Sequence, residues 1–208
     1  MRSEPILRGG YLKAGLWCTA ILTLAVLPAA HANIDLVWRP ASQTVNVGDT
    51  VEIGLYAVSD SAVNQSMIAA SVVLQWNPAY LGAVSYVRDP SAWPGSSFQS
   101  PDPWHLNDSL SDGDAVYTAC RPVLLPAWAT PEGLWVASMR FQALAGTPPG
   151  SPTQLIIPTH MATTVMDGVT PGLDVHGTLG RATITINPEP ATMLILMLAP
   201  LLVTRRSR

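Results

Sequence analysis

The carboxylate side chains of this 208-residue chain are densest between Asn107 and Asp114. Asp108, Asp112 and Asp114 fall within that segment, and clustered carboxylates are the ligands that a hard cation such as Ca²⁺ prefers. The segment lacks the Asp-x-Asp-x-Asp-Gly spacing and the late glutamate of an EF-hand, however. A solvated turn explains the same residues equally well. They are therefore weak calcium candidates with a structural role only, and we predict no metal or other cofactor.

Groups that could carry catalysis are scarce. Beyond the first 32 residues the histidines are His105, His160 and His176, and their spacing does not match a zinc site. No Gly-x-Ser-x-Gly segment is present. Glutamate, the usual acid of the carboxylate pairs in glycosidases, is nearly missing. We therefore predict that the protein is not an enzyme, and a polysaccharide hydrolase is the least favoured alternative.

A long proline-rich loop from Arg88 to Asp114 is the candidate ligand-binding region. It contains Trp93, Phe98, Trp104 and His105, and loops of this length are uncommon unless they are functional or disordered. Exposed tryptophans would stack on sugar rings while Asp and Asn side chains bond the hydroxyl groups. The alternative is that Trp93 and Trp104 fold back and cap one end of the domain.

The elements that must position these residues are β-strands. Apolar and polar residues alternate in short runs, Pro and Gly recur between the runs, and no window has a sustained helical period. This pattern favours an all-β fold, an antiparallel sandwich of about eight or nine strands. The predicted strands are Ile34 to Arg39, Thr44 to Val47, Val51 to Val58, Met67 to Trp76, Tyr80 to Val87, Ala115 to Cys120, Gly133 to Leu144, Gln154 to Ile157 and Arg181 to Ile186.

Four segments resemble, in order, the strands of a cohesin-like domain, and the resemblance covers nearly all of residues 33–187. They are Val37 to Val51, which contains a Gly-Asp turn, Val72 to Leu81, which contains an Asn-Pro turn, Gly133 to Ala143, and Gly177 to Ile186. The resemblance implies a jelly-roll-like sandwich of nine strands. Cohesins hold dockerin modules, but a fold does not by itself assign a partner.

Residues 1–32 have the three parts of a Sec-type signal peptide. A positively charged start is followed by an apolar core from Ala14 to Leu27 and by the small-x-small cleavage site at Ala30 and Ala32. Signal peptidase would cut after Ala32, so the mature protein would begin at Asn33. An uncleaved signal anchor is the alternative, but the short apolar run and the adjacent cleavage site favour removal.

Residues 188–208 form a second three-part segment. It consists of Pro188-Glu189-Pro190, an apolar stretch from Ala191 to Thr204, and a tail with Arg205, Arg206 and Arg208. It resembles the PEP-CTERM sorting signal of Gram-negative bacteria that secrete exopolysaccharide. The resemblance implies that an exosortase, a membrane protease, cuts near Pro-Glu-Pro. A helix of about 14 residues covers only ~21 Å, against ~30 Å of hydrocarbon, which favours a transient membrane segment over the alternative of a permanent anchor.

The segment between the two signals is acidic. From Asn33 to Asn187 it has five arginines, no lysine and twelve carboxylates, which gives a net charge of about −7. Such a surface disfavours nucleic acid and anionic lipid, because both need clustered basic residues. Cys120 is the single cysteine of this segment, so no internal disulfide forms there. Its thiol is either buried as a small apolar group or paired with another chain.

These observations predict a signal peptide (residues 1–32), a cohesin-like domain (33–187) and a sorting signal (188–208). We expect an exported, noncatalytic binding or structural protein of the cell surface or biofilm matrix, held transiently in the inner membrane by its C-terminus. The expected partners are signal peptidase, an exosortase, and either exopolysaccharide or another surface protein. The alternative is a carbohydrate-binding module that engages exopolysaccharide through Trp93 and Trp104.

Overall fold

The computed structural model describes residues 33–122 and 125–189. Several residues of the two predicted signals lie outside these ranges, namely Ala30, Ala32, Pro190, Arg205, Arg206 and Arg208. Within the described ranges, no helix has the length and hydropathy that crossing a membrane requires.

The described residues form thirteen β-strands, because short alternating runs are separated by turn residues. In chain order they are β1 (Ile34–Arg39), β2 (Ser42–Asn46), β3 (Thr50–Ser59), β4 (Gln65–Trp76), β5 (Ser85–Val87), β6 (Ser97–Phe98), β7 (Asp114–Cys120), β8 (Ala127–Ala129), β9 (Leu134–Gln142), β10 (Thr153–Ile156), β11 (Thr164–Asp167), β12 (His176–Leu179) and β13 (Arg181–Asn187).

The strands form two sheets. Sheet A has the order β12-β1-β3-β9-β5, and sheet B has the order β2-β13-β10-β4-β7-β6. The twelve-residue strand β4 organises sheet B, because β10 and β11 pair with successive parts of one edge while β7 and β8 pair with the other. Long central strands therefore carry short edge strands in both sheets.

The predicted all-β sandwich is confirmed, with mixed sheets where purely antiparallel ones were expected. Two strand pairs are parallel, β1 with β12 and β2 with β13, so the first strands of the domain lie beside its last ones. The number of strands exceeds the eight or nine expected, because β6, β8, β11 and β12 contain two to four residues each. Runs this short have too few residues to show an alternating pattern in the sequence.

The core lies between the two sheets and takes alternate side chains from each. Leu36, Ile53 and Met139 of sheet A and Leu74 and Tyr117 of sheet B are among its fully buried members. Burying a side chain of this size stabilises a fold by about 1.5–3 kcal/mol. The alternation read from the sequence thus corresponds to one buried and one outward face on each long strand.

The two ends of the described domain lie at opposite ends of β3. Asn33 lies beside Asp60, which follows β3, whereas Asn187 pairs with Asn46, which precedes β3. β3 contains ten residues, and an extended strand of that length spans roughly 33 Å. We call the end beside Asn33 the distal end and the end beside Asn187 the tail end.

Candidate binding surfaces

The structure places Trp93 in the core. Its side chain is 0% exposed, and its indole Nε1 donates to Trp135 O at 3.2 Å. Arg121 lies over the ring, 6.0 Å from the centroid, and Arg88 donates to the carbonyls of Trp93 and Pro94. Trp93 therefore folds back onto the sandwich, which corrects its assignment as a sugar-stacking residue, because a buried ring has no free face.

Phe98 belongs to an aromatic cluster at the edge of the sandwich. Its ring centroid lies 5.5 Å from the centroids of both Tyr86 and Tyr117, and Tyr86 Oη donates to Ser96 O at 3.0 Å. Tyr117 is fully buried, and burial raises the pKa of its phenol to about 12. Phe98 itself is half-buried and packs against the core. The cluster thus closes the sandwich, and Phe98 contributes to packing.

Two buried polar side chains, Asp102 and Asn107, organise the second half of the loop. Asp102 accepts hydrogen bonds from the backbone N–H groups of Trp104 (2.9 Å), Leu106 (3.2 Å) and Asn107 (2.7 Å). Burial acts to raise the pKa of Asp102, but these N–H groups outweigh it and lower the pKa. Because the turn is closed around a carboxylate, Trp104 is held in a defined position.

Trp104 is the exposed one of the two tryptophans in the loop. It is 40% exposed, and its ring meets the ring of His160 edge-on with 6.1 Å between centroids. Beside it, Leu106 packs against a small apolar cluster on the outer side of sheet B that includes Val73 and Ala162. One side of the indole is thus supported, and the remainder faces solvent. An amphipathic ring presented in this way suits the apolar face of a sugar or of another protein.

His105 and the carboxylates of the loop make local contacts. His105 is exposed, its φ is 61°, and its Nδ1 lies 3.0 Å from Asp108 Oδ2. Burial and the neighbouring carboxylates of Asp112 and Asp102 raise the pKa of Asp114. Across residues 33–122 and 125–189, no three His, Cys, Asp or Glu side chains converge to hold a metal ion. The weak calcium candidates Asp108, Asp112 and Asp114 therefore form no such group.

An apolar surface lies at the distal end. Four of the seven large hydrophobic side chains that are exposed in the described residues lie there, and each is more than half exposed. We call these four residues, Val63, Leu125, Trp128 and Val169, the tip patch. Single exposed hydrophobic residues are ordinary, whereas several on neighbouring segments make this end a candidate interaction surface.

Contacts beneath the tip patch join three chain segments. Gly168 N donates to Ser66 O at 3.3 Å, and a Cβ on Gly168 would lie only 2.7 Å from Pro126 and 2.8 Å from Ser66. Ser66 Oγ donates to Asp167 Oδ1 at 2.9 Å, and Thr170 N donates to Asp167 Oδ2 at 2.8 Å. Burial acts to raise the pKa of Asp167, but these hydrogen bonds lower it overall. The backbone segments beneath the tip patch are therefore closely packed against one another.

Sequence reasoning missed the tip patch. Trp128 and Leu125 lie close to Pro126 between two predicted strands, and an apolar pair in such a turn was the available signal. Val63 and Val169 are more than 100 residues apart in the chain. Their common location depends on which strands meet at the distal end, and no local pattern encodes that.

The remaining reactive groups are engaged locally. The thiol of Cys120 is half-buried and donates to Gly95 O at 2.9 Å, and His176 Nδ1 lies 2.9 Å from Asp174 Oδ2. A shallow cleft of about 490 Å³ on sheet A is lined by Glu52 and Arg140 among others, and these two side chains pair at 2.7 Å. None of these contacts brings a nucleophile and a base together within the described residues.

No protein-family model and no curated protein matches the chain. Among solved structures, a chain of a type I cohesin–dockerin complex from Clostridium thermocellum is 10% identical with a TM-score of 0.54, over 74% of this chain and 99% of that one. A cohesin module from a family 33 glycoside hydrolase of Clostridium perfringens is 11% identical with a TM-score of 0.53, over 76% and 98%. At such identities the likeness shows the fold alone. It confirms the predicted cohesin-like β-sandwich fold.

Proposed function

We propose that this chain is an exported, noncatalytic binding module that holds another surface protein through its tip patch. The observation that carries the proposal is the gathering of four exposed hydrophobic side chains on closely packed chain at the distal end. Tryptophan in such a setting is enriched among the residues that dominate protein interfaces. The solved structure from Clostridium thermocellum is described as a complex between a cohesin and a dockerin, so this fold supports protein binding elsewhere.

Export and sorting form the second part of the proposal. Signal peptidase would release the chain at Asn33, and an exosortase would act near Pro188, immediately after β13. Pro188 packs against Gly146, where a Cβ would lie 3.0 Å from Pro188 N, so the sandwich continues up to the sorting motif. While the tail remains in the membrane, the tail end of the sandwich faces the bilayer. The tip patch then points away from the membrane, towards the cell surface or biofilm matrix.

Site-specific photo-crosslinking in the native host tests the tip patch. A photoreactive amino acid at Leu125 should crosslink one protein, whereas the same amino acid at Thr50, an exposed position on sheet A, should not. The purified partner should then bind Trp128→Ala at least about tenfold more weakly, which is the loss expected for a dominant interface residue. The melting temperature of this variant should stay within about 2 °C of the unmodified protein, because Trp128 is half exposed. Equal crosslinking from both positions, or unchanged affinity in Trp128→Ala, would exclude this surface.

A second candidate function is glycan binding through Trp104. The specific observation is that its half-exposed indole is held by the Asp102 turn and backed by His160. Retention of the protein on exopolysaccharide from the host should then fall in Trp104→Ala and persist in Trp128→Ala. The reverse result, or retention that neither substitution changes, argues against this alternative.

Intact mass of the protein recovered from the medium and envelope of the host tests the processing. The proposal expects a species that begins at Asn33 and ends near Pro188. A species in the membrane fraction that still contains residues 191–208 would replace exosortase processing with a permanent anchor.

A further inference from the structure

Asn33 is held by its neighbours at both of its backbone polar groups. Its N lies 2.9 Å from Asp60 Oδ1, and its O accepts from Asp60 N at 3.0 Å. The next residue, Ile34, is fully buried and donates its N–H to Val175 O at 2.8 Å. Asn33 is the residue directly after the predicted cleavage bond, and it is already packed into the sandwich.

Cleavage at this bond changes the chemistry of one nitrogen. Water adds across the Ala32–Asn33 peptide bond, the new carboxyl group leaves with the signal peptide, and Asn33 N becomes a primary amine. The ordinary pKa of an α-amino group is about 7.7–8.0, so this amine takes a proton and is mostly an ammonium group at neutral pH. A neutral amide donor that faces Asp60 thus becomes a cation that faces the same carboxylate.

We propose that Asp60 is the receptor for the α-ammonium group that signal removal creates at Asn33, so that maturation itself strengthens the closure of the distal end. The proposal rests on the export proposed above, because it requires Asn33 to be the mature N-terminus. The bond from Asn33 N already has an ionised acceptor, and protonation of the new amine adds the attraction between two opposite charges. The ion pair joins the start of β1 to the segment that follows β3, next to the tip patch residue Val63.

The surroundings of Asn33 contain other charged groups on the packed elements. Asp35 lies on β1, where its Oδ1 accepts from Thr178 N at 2.6 Å. Asp174 and His176 pair with each other at 2.9 Å beside the partner strand of β1. Each of these groups already has its own partner, whereas Asp60 Oδ1 is directed at Asn33 N.

The composition of the chain makes the test clean. From Asn33 to Arg208 the sequence contains no lysine, so after signal removal the α-amine is the single primary amine of the protein. Reductive methylation with ¹³C-formaldehyde therefore labels one nitrogen, and its NMR signal reports the protonation of that nitrogen alone.

The experiment uses the full chain, expressed in its host and purified after export. N-terminal sequencing should give Asn33, and any other N-terminus overturns the proposal at the stage of processing. In the labelled protein, the pKa of the amine should be higher than in Asp60→Asn by at least about 0.5, since an opposite charge within hydrogen-bonding distance favours the charged form. Asp112→Asn removes a carboxylate at an exposed position of the loop before β7 and should leave this pKa unchanged. Equal amine pKa values in the unmodified protein and in Asp60→Asn would overturn the role of Asp60. That result would leave the proposed binding function of the tip patch unaffected.

Thermal stability gives a second readout. Because the paired amine has a raised pKa, its contribution is complete below the ordinary value near 8 and is lost as the pH rises through the raised value. The melting temperature of Asp60→Asn should therefore be about 1–3 °C lower at pH 6.5, and the difference should vanish above about pH 10. A difference that persists unchanged at high pH would contradict an ion pair and indicate an ordinary hydrogen bond.

Discussion

The side chain of Asn107 pairs with the backbone of Val116 as a neighbouring strand would. Its Nδ2 donates to Val116 O at 2.8 Å, and its Oδ1 accepts from Val116 N at 2.8 Å. The pairing of β6 with β7 covers Tyr117 and Thr118, so the amide of Asn107 continues the same hydrogen-bond ladder by one residue. The side chain of Asn107 thus attaches one loop to the edge of sheet B, and this loop carries Trp104.

Because the side chain of Asn107 makes both hydrogen bonds to the backbone of Val116, we expect Asn107→Ala to lose much stability. The substitution leaves the N–H and C=O of Val116 buried without partners, and the expected loss in the free energy of unfolding is about 2–3 kcal/mol. For a domain of this size the melting temperature should fall by about 5–10 °C. Asn64→Ala at an exposed position is the matched control and should change it by about 2 °C or less. Similar melting temperatures for both variants would show that the hydrogen bonds between Asn107 and Val116 contribute little to stability.

The two tryptophans of the loop should behave in opposite ways. Trp93→Ala removes a fully buried ring, and the expected loss in the free energy of unfolding is about 3–5 kcal/mol. Trp104→Ala removes a half-exposed ring and should lower it by about 1 kcal/mol or less. Chemical denaturation of the two variants measures the difference. Equal losses would mean that the loop does not fold back through Trp93.

Acid should weaken the fold through its hydrogen-bonded carboxylates. Burial acts to raise the pKa values of Asp102, Asp167 and Asp174, but hydrogen bonds from backbone N–H groups, Ser66 and His176 outweigh it and lower all three. Carboxyls with lowered pKa values stabilise the folded state above their ordinary value near 3.8, and this contribution is lost as the pH falls below it. The unfolding free energy should therefore drop steeply below pH 4. The difference in unfolding free energy between the unmodified protein and Asp102→Asn should become smaller as the pH falls below 4. A difference that stays constant would contradict a stabilising role for the ionised carboxylate of Asp102.

The turn into β7 should require a glycine. Gly113 has a φ of 115°, and a Cβ there would lie 2.9 Å from Trp76 O and from Pro78 Cδ. Gly150 has a φ of 74° with no atom near its Cβ position, so Gly150→Ala controls for backbone strain alone. Gly113→Ala should lower the melting temperature several degrees further than Gly150→Ala does, because it adds a collision with the backbone. Equal decreases in melting temperature would show that the neighbouring atoms move away from the new Cβ without loss of stability.

Folding should require the last strand, β13, but not the residues after Glu189. β13 pairs with β2 over five residues and with β10 over four, so it joins the edge of sheet B to its middle. A chain that ends at Glu189 should melt in one cooperative transition at the temperature of the longer protein. A chain that ends at Gly180 should lose that transition, as circular dichroism would show. A cooperative transition in the shorter chain would contradict the role of β13 in closing the sandwich.

The fold was predictable because alternation is a local property of the chain. The runs in β3, β4, β7, β9 and β13 place apolar side chains on one face whatever their partners are, and burial in the structure follows those faces. The parallel pairing of β1 with β12 was not predictable in this way. It joins residues separated by about 140 positions, and one sequence carries no signal for such a contact.

The binding surfaces were predictable only in part. The sequence marked Trp93 and Trp104 together, since both lie in one proline-rich loop, yet the structure buries the first and exposes the second. Asp102 causes this difference in part, because it closes a turn that starts just before Trp104. The residue types in the loop were known beforehand, but the direction of each ring depends on which strand the loop packs against.

By itself the sequence determined the all-β class, the acidic surface, the scarcity of catalytic groups, and the expectation of processing at Asn33 and near Pro188. These properties depend on composition and on neighbours within a few residues. The tertiary structure alone decided that the chain segments carrying Val63, Leu125, Trp128 and Val169 come together at the distal end and that Asp60 faces Asn33. The physical reason is that exposure and proximity arise from packing between distant segments, which is set by the fit of the whole core.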